Sequence, residues 1–356
     1  MMHAFQPNFR VAMKRAGAAA LVTAIAGMGL VVPAQTTLAQ EPEVTKLDFW
    51  AVRDAQMSGQ IALASEMGFF KDEGLDVTVK WIVSGTDVPS LAASGEILMT
   101  GESVYISAML QEKGVDMRYM MPMSDVGGSQ QVVLGPNVDV SSPKDLEGKK
   151  IGMAAGAGVG MAITAMCEEY GVDCAKITLV NLQPPDQIPA LVRGDIDAMA
   201  IWNPYALEGV KVGGRLYFSG NKSYIDGEEK EVNYMYLDGG LIVNGEFADE
   251  NPETVKAVMR ALITATEYFN SHSVEETASI LTGTLDIPEE DLQKILSMNI
   301  YTNKIDEATV DKATTLLEYG GRPDIAWVNE VYAPKDLYYL DLLKEVAPDL
   351  VTAEGF

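Results

Sequence analysis

The strongest constraint on the fold of this chain is a recurring order of strand, polar turn and helix. The first unit passes from a strand-like segment, Leu47–Val52, through a polar turn into a helical stretch, Ser58–Met67. The second begins with the alternating strand Leu75–Val83 and ends in a short helix. The third unit consists of a short strand, Gly95–Thr100, and a helix, Glu102–Gln111. Such units predict an α/β fold in which mostly parallel sheets carry helices on their faces.

The order starts afresh after the Gly127-Gly128 pair, which indicates a second lobe. Four strands are predicted there, of which QQVVLG (130–135) is the first, and Tyr234–Val243 has the pattern of a strand that returns to the first lobe. The tail, Asn251–Leu350, is largely amphipathic helix. We therefore predict lobe I over residues 44–127 and 236–356, lobe II over residues 128–235, and a hinged cleft between them.

The amino terminus has the pattern of a secretory signal peptide. Arg10, Lys14 and Arg15 precede an apolar run, Ala16–Val32, and the small residues that end at Ala39 suit signal peptidase. We predict a signal peptide over residues 1–39 and a periplasmic mature protein. A retained membrane anchor is the alternative. No cysteine stands at the cleavage point to carry a lipid.

The chain is strongly acidic, with 26 basic and 51 acidic residues and a net charge of −25. Loss of three basic residues with the signal peptide would bring the net charge to −28. Because phosphate backbones and anionic lipids repel such a surface, nucleic acid and anionic membrane surfaces are poor partners, and no nucleic-acid partner is expected. We expect a monomer.

The two cysteines, Cys167 and Cys174, are separated by seven positions. In an oxidising compartment such a pair can bridge a helix end to the following strand, and buried free thiols are the alternative. A metal site is not expected, because His272 is the single histidine of the predicted mature chain and lies far away. We predict no cofactor.

Candidate ligand-binding residues follow from a rule of α/β sheets, in which ligands collect at the carboxyl ends of the strands. Three carboxylates, Asp54, Asp87 and Glu102, lie in neighbouring loops of lobe I, although each could equally be solvated or cap a helix. The candidates in the loops of lobe I and its crossover are Asp54, Met57, Ser58, Gly85, Thr86, Asp87, Glu102, Ser103 and Asp125.

Lobe II contributes two further candidate groups. The glycine-rich loop at Ala157, Gly158 and Val159 leads into a helix, so its N–H groups could hold an anion; a tight packing turn is the alternative. Neither a dinucleotide-binding fingerprint nor a phosphate-loop motif is completed there. Trp202, with Asn203 and Tyr205 after it, would bring an aromatic face to the cleft, unless it packs between the lobes.

Several segments resemble the nitrate, sulfonate and taurine group of ABC-importer binding proteins, above all the taurine-binding proteins. They are EMGFFKDEGLDVTVKWIVSG (66–85), LAASGEI (91–97), DLEGKKIGM (145–153), VNLQPPDQIPALVRGDIDAMAIWNPY (180–205) and the helical tail after NPETVKAVMRA (251–261). The resemblance spans nearly the whole predicted mature chain. It implies the type II periplasmic-binding fold and a transport role without catalysis, with a small-molecule ligand and an inner-membrane ABC permease as partners.

The resemblance also implies roles for residues outside those segments. Ser129 and Gln130 are similar to a ligand-facing segment of the family, and Asp238 is placed where taurine binders accept a ligand ammonium group. A zwitterion such as taurine is the leading ligand. A neutral or cationic nitrogen compound, such as a thiamine-precursor pyrimidine, is the alternative. An enzyme like the related pyrimidine synthases is the alternative of a different class, and sensing is the alternative to import.

Overall fold

The structure, a computed structural model, describes residues 40–323, 325 and 327–356. The predicted signal peptide lies outside this range. In chain order the strands are β1 (Lys46–Val52), β2 (Asp76–Ile82), β3 (Met99–Glu102), β4 (Met117–Asp125), β5 (Gln130–Leu134), β6 (Lys150–Met153), β7 (Thr178–Asn181), β8 (Ala198–Trp202), β9 (Arg215–Ser219), β10 (Lys222–Ser223), β11 (Lys230–Glu231), β12 (Asp238–Asn244) and β13 (Ile300–Tyr301).

Helices cover the faces of the sheets and make up most of the tail. They are α1 (Gly59–Met67), α2 (Phe69–Asp72), α3 (Val88–Ala93), α4 (Val104–Glu112), α5 (Gly160–Tyr170), α6 (Pro184–Arg193), α7 (Tyr205–Lys211), α8 (Gly245–Glu250), α9 (Pro252–Ser271), α10 (Val274–Leu285), α11 (Glu289–Met298), α12 (Glu307–Gly320), α13 (Pro334–Leu337) and α14 (Asp341–Val346). None of these helices, all within the described residues, is both long and apolar enough to cross a bilayer.

The strands form two sheets. The first has the order β13-β4-β12-β3-β1-β2 and the second the order β11-β10-β9-β5-β8-β6-β7. Every strand of the first sheet comes from residues 44–127 or 236–356, and every strand of the second from residues 128–235. This arrangement confirms the predicted α/β fold with two sheets, while the lobe boundaries themselves stay a prediction.

The prediction of mostly parallel sheets was wrong. Parallel pairing is limited to β1 with β2 and β3, and to β6 with β7 and β8, and the other pairs are antiparallel. The reason for the antiparallel pairing of β4 with β12 is that the chain crosses between the sheets twice. The chain leaves the first sheet at the end of β4 and returns at the start of β12, so these neighbouring strands must run in opposite directions.

Two segments connect the sheets: the first crossover, residues 126–129, and the second crossover, residues 232–237. They lie against each other. The Val126 N–H donates to the Leu237 carbonyl at 2.7 Å, and a Cβ added at Gly127 would lie 2.7 Å from the Met235 carbonyl oxygen. Glycine is therefore required at position 127 for this close approach. β12 begins at Asp238 and not at the predicted Tyr234, because the Tyr234 and Met235 N–H groups donate to the Gly220 carbonyl of the second lobe and the Leu237 carbonyl accepts from Val126.

The helical tail packs on the first sheet through one apolar stripe. In α9 the buried residues include Val255, Val258, Met259 and Leu262, a spacing that matches one face of a helix. In the second lobe a disulfide bond joins Cys167 near the end of α5 to Cys174, with the Cα atoms 5.8 Å apart. It fastens the end of α5 to the turn that leads into β7.

Candidate functional site

A small cavity lies between the two sheets, where the strands of both end. It has a volume of about 40 Å³, which is room for a few water-sized groups. Loops after β1, β2 and β3 supply one wall, and the end of β8, the start of β5 and the loop before α5 supply the other. The lining residues are Val52, Asp54, Gln56, Met57, Gly85, Thr86, Glu102, Tyr105, Gln130, Ala157, Gly158, Trp202 and Leu237.

Glu102 is the lining carboxylate with the most unused hydrogen-bonding capacity. Its side chain ends β3, is only 2% exposed, and accepts from the Ser103 N–H at 3.3 Å; no other donor among the described residues reaches it. Burial, together with a smaller effect of the charges of Asp54 and Asp238, raises the pKa of Glu102 to about 8. A buried carboxylate in this state is stabilised by a cation that enters the cavity.

Asp54 is a second buried carboxylate of the lining. It accepts from the Gln56 and Met57 N–H groups at 3.0 and 2.8 Å, and so closes the turn that leads from β1 to α1. Burial outweighs these hydrogen bonds and raises the pKa of Asp54 to about 7. Its position adds negative potential to the wall that carries Glu102.

Asp238 is buried at the start of β12, but it does not line the cavity. Its carboxylate accepts from the Ser103 hydroxyl at 2.5 Å and from the Val104 N–H at 3.1 Å. Burial raises its pKa against the effect of these donors. Both donors belong to the first turn of α4, so the observed contacts of Asp238 satisfy a helix terminus.

Glutamine side chains connect the two walls of the cavity. The Gln56 side-chain N–H donates to the Asn203 carbonyl at 3.0 Å, and the Gln130 side-chain N–H donates to the Gln56 side-chain oxygen at 3.0 Å. Gln56 follows β1 of the first sheet, whereas Gln130 and Asn203 belong to the second. The lobes are therefore in hydrogen-bonded contact at this site.

The positive end of α5 faces the cavity from the second lobe. Among the described residues, no acceptor lies within hydrogen-bonding distance of the Gly158 or Val159 N–H, and Gly158 lines the cavity. These N–H groups, together with the helix dipole, form a place where an anionic group is favoured. The cavity thus has an acidic wall and, across from it, a backbone donor set.

The structure brings half of the predicted ligand-binding residues into the lining: Asp54, Met57, Gly85, Thr86, Glu102, Gln130, Ala157, Gly158 and Trp202. Sequence reasoning missed Val52, Gln56, Tyr105 and Leu237. The position of Gln56 in the same loop as Asp54 could have indicated that it lines the cavity. No sequence signal indicates Tyr105 or Leu237, because their positions depend on how α4 and the second crossover pack.

The remaining predicted residues lie outside the lining: Ser58, Asp87, Ser103, Asp125, Ser129, Val159, Asn203, Tyr205 and Asp238. Several have other partners. The Ser129 hydroxyl donates to Asn299 at 2.7 Å, Asp125 pairs with Lys312 at 2.9 Å, and Asp87 is exposed. Their roles in binding stay predictions.

Two further observations describe the chemistry of the site. The lining residues include no Lys, Arg or His, and the guanidinium of Arg53, which precedes Asp54 in the chain, lies over the Trp81 ring. Across residues 40–323, 325 and 327–356, no group of three His, Cys, Asp or Glu side chains is placed to hold a metal ion.

Comparison with known proteins identifies the family of this chain. The profile described as NMT1/THI5 like matches residues 56–276, which is more than half of the chain. This chain belongs to the NMT1/THI5 like family. The match begins in the loop of Asp54 and Gln56 and ends in the tail, so it includes both crossovers and every residue of the lining from Gln56 onward.

Relatives by sequence include named binding proteins. The chain is 27% identical to the taurine-binding periplasmic protein of Escherichia coli (strain K12), covering 72% of this chain and 82% of that protein. It is 25% identical to a putative aliphatic sulfonates-binding protein of Bacillus subtilis (strain 168), covering 72% and 76%.

A solved structure shows the same fold. The alkanesulfonate-binding protein SsuA from Xanthomonas axonopodis pv. citri, bound to MOPS, matches with a TM-score of 0.68 at 15% identity, over 84% of this chain and 99% of that one. The resemblance stated from the sequence, to periplasmic sulfonate and taurine binders, and the two-lobed fold it implied are thereby confirmed.

Proposed function

We propose that this chain is the periplasmic solute-binding protein of an ABC importer, and that it captures a small zwitterion such as taurine or another amino-sulfonate. The observation that carries the proposal is Glu102, a buried carboxylate in the cavity with one hydrogen bond from the protein. Burying such a group is costly unless a cation compensates it, and a ligand ammonium group supplies that compensation.

The opposite wall suits the other end of a zwitterion. The ammonium group is assigned to Glu102, with Asp54 beside it, and the sulfonate or carboxylate to the free N–H groups of Gly158 and Val159. This assignment differs from the sequence-based one, which gave the ammonium to Asp238. Asp238 already accepts from two donors at the start of α4.

The transport context is supported by the relatives. Those named above are a taurine-binding periplasmic protein and a putative sulfonates-binding protein, and the predicted signal peptide over residues 1–39 agrees with a periplasmic location. We propose lobes over residues 44–127 with 236–356, and over 128–235, that close around the ligand. Deleting the gene would abolish uptake of the labelled ligand; uptake at the full rate would mean a sensory role instead.

One observation favours a second candidate ligand. The lining has no basic side chain and includes the indole of Trp202, so a neutral or cationic nitrogen compound could stack on Trp202 and hydrogen-bond to Glu102. A thiamine-precursor pyrimidine has this chemistry. An enzyme of the pyrimidine-synthase kind is less well supported, because both cysteines are joined in a disulfide and His272 is exposed.

A ligand panel tests the proposal and separates the two candidates. Taurine, propanesulfonate, propylamine and an aminopyrimidine are each titrated by calorimetry and followed by the shift in melting temperature. We expect taurine to bind and propanesulfonate, which lacks the ammonium group, to fail. Binding of the aminopyrimidine alone would replace the zwitterion with the second candidate, and binding of propanesulfonate as tight as taurine would overturn the role of Glu102.

Glu102→Gln is the matching substitution, because it keeps the shape of the side chain and removes its charge. We expect affinity for taurine to fall by at least about tenfold, in line with the loss of a charge-assisted hydrogen bond. Glu96→Gln is the control, since Glu96 is an exposed carboxylate of the same lobe outside the lining. Equal affinities in the two variants would remove Glu102 from the site.

A further inference from the structure

A second, larger cavity adjoins the acidic one and has a different character. It has a volume of about 380 Å³, against about 40 Å³ for the ligand cavity. Its walls are largely apolar, with Met153, Ile163 and Leu179 from the second lobe and Trp327 from the tail of the first. Ala157 lines both cavities, so the two spaces are separated by little more than one layer of side chains.

Tyr105 forms the other part of that layer. Its ring lines the ligand cavity, is 6% exposed, and stacks on the Trp327 ring with centroids 4.4 Å apart. Trp327 in turn lines the larger cavity and meets Tyr319 edge to face at 5.3 Å. The Tyr105 side chain therefore stands between the acidic cavity on one side and the apolar cavity on the other.

Tyr105, whose ring is positioned by its stacking on Trp327, also makes a hydrogen bond between the lobes. Its hydroxyl donates to the Gly156 carbonyl at 3.3 Å, in the loop that also carries Ala157 and Gly158. The hydroxyl stays a donor throughout the physiological range, because burial and the charges of Glu102 and Asp238 raise its pKa well above the usual value. The contact closes the gap between α4 and the loop before α5.

We propose that Tyr105 determines the length of the ligand, by closing the acidic cavity off from the apolar cavity. The protein then selects short ammonium-bearing ligands that end at Ala157. Without the Tyr105 ring, the apolar cavity becomes a subsite for the alkyl tail of a longer amine. This inference rests on the proposed function, since it takes the ammonium group as the anchored end.

The test compares n-alkylamines from ethylamine to hexylamine in the wild-type protein, in Tyr105→Ala and in the matched control Tyr105→Phe. Burial of an alkyl tail contributes about fourfold in affinity per methylene group. We expect the ratio of hexylamine to ethylamine affinity to rise at least tenfold in Tyr105→Ala over the wild type. Tyr105→Phe keeps the ring and loses only the hydroxyl, so its ratio should stay near that of the wild type.

Trp327→Ala provides a second route to the same outcome. Loss of the indole frees the space behind Tyr105, so the affinity ratio should move in the same direction even where Tyr105→Ala fails to fold. Circular dichroism and the melting temperature show which variants are folded. Folded variants with an unchanged ratio would overturn the inference while leaving the proposed function in place. Failure of both taurine and ethylamine to bind the wild type would overturn the proposed function itself.

Discussion

At the residue scale, the site depends on how closely a backbone approaches a carboxylate. A Cβ added at Gly85 would lie 1.9 Å from one carboxylate oxygen of Glu102 and 2.7 Å from its carboxyl carbon. No side chain other than hydrogen leaves room for Glu102 in its observed position. The glycine of the loop after β2 therefore fixes where the negative charge of the loop after β3 can lie.

We predict that Gly85→Ala lowers affinity for the ligand at least about tenfold, because a displaced Glu102 loses a charge-assisted hydrogen bond to the ammonium group. The backbone at Gly85 is not left-handed, so the fold should tolerate the change. Calorimetric titration and thermal melting are the measurements. Gly283→Ala in α10 is the control, since a Cβ there meets no atom within 4 Å and should leave affinity unchanged.

At the scale of elements, the amino terminus of α4 is stabilised by Asp238, which lies 134 positions after Val104 in the chain. Asp238 of β12 accepts the Val104 N–H and the Ser103 hydroxyl, which would otherwise be buried without partners. The same short segment carries Glu102 at the end of β3 and Tyr105 in the first turn of α4. The Asp238 contacts therefore position two lining residues without touching the cavity.

Asp238→Ala is predicted to lower the free energy of unfolding by about 2 to 3 kcal/mol, because it leaves two buried donors unsatisfied. Ser103→Ala removes one of the hydrogen bonds together with its donor and should cost about 1 kcal/mol. Urea denaturation measures both. A folded Asp238→Ala protein with wild-type stability and no affinity for taurine would instead support Asp238 as the ammonium acceptor that the sequence suggested.

At the scale of the whole molecule, the contact between the two lobes buries the carboxylates of Asp54 and Glu102 in the cavity between the sheets. Burial raises the pKa of Glu102 from its usual 4.5 to about 8 and that of Asp54 from 3.8 to about 7. Between the usual and the raised values, the folded protein binds more protons than the unfolded chain. Each of these two groups therefore makes the ligand-free protein less stable as the pH rises across that window.

We predict that the melting temperature of the ligand-free protein falls from about pH 5 to about pH 8, because the free energy of unfolding decreases by at most about 1.4 kcal/mol per pH unit for each group. Affinity for an ammonium-bearing ligand should rise over the same window, since Glu102 must lose its proton to accept the ammonium group. Glu102→Gln should flatten the affinity profile and reduce the pH dependence of stability to the part that Asp54 contributes. An affinity that falls with rising pH would mean that a protonated Glu102 donates to the ligand, contrary to the proposal.

Local patterns were sufficient to predict much of this protein. The alternation that predicts β1 and β2, and the apolar stripe of α9, are properties of a few consecutive residues and do not depend on the rest of the fold. The rule that ligands collect at the carboxyl ends of strands then predicts Asp54, Glu102 and Trp202 as ligand-binding residues. All three line the cavity.

Only the tertiary structure decided how those loops meet. The direction of β12 follows from the double crossover, which no local pattern encodes, and it places Asp238 at the start of α4 and away from the cavity. Tyr105 and Leu237 enter the lining through packing between segments distant in sequence. Side-chain periodicity specifies which face of a strand or helix is buried, whereas the identity of the neighbour across a cleft depends on the path of the whole chain.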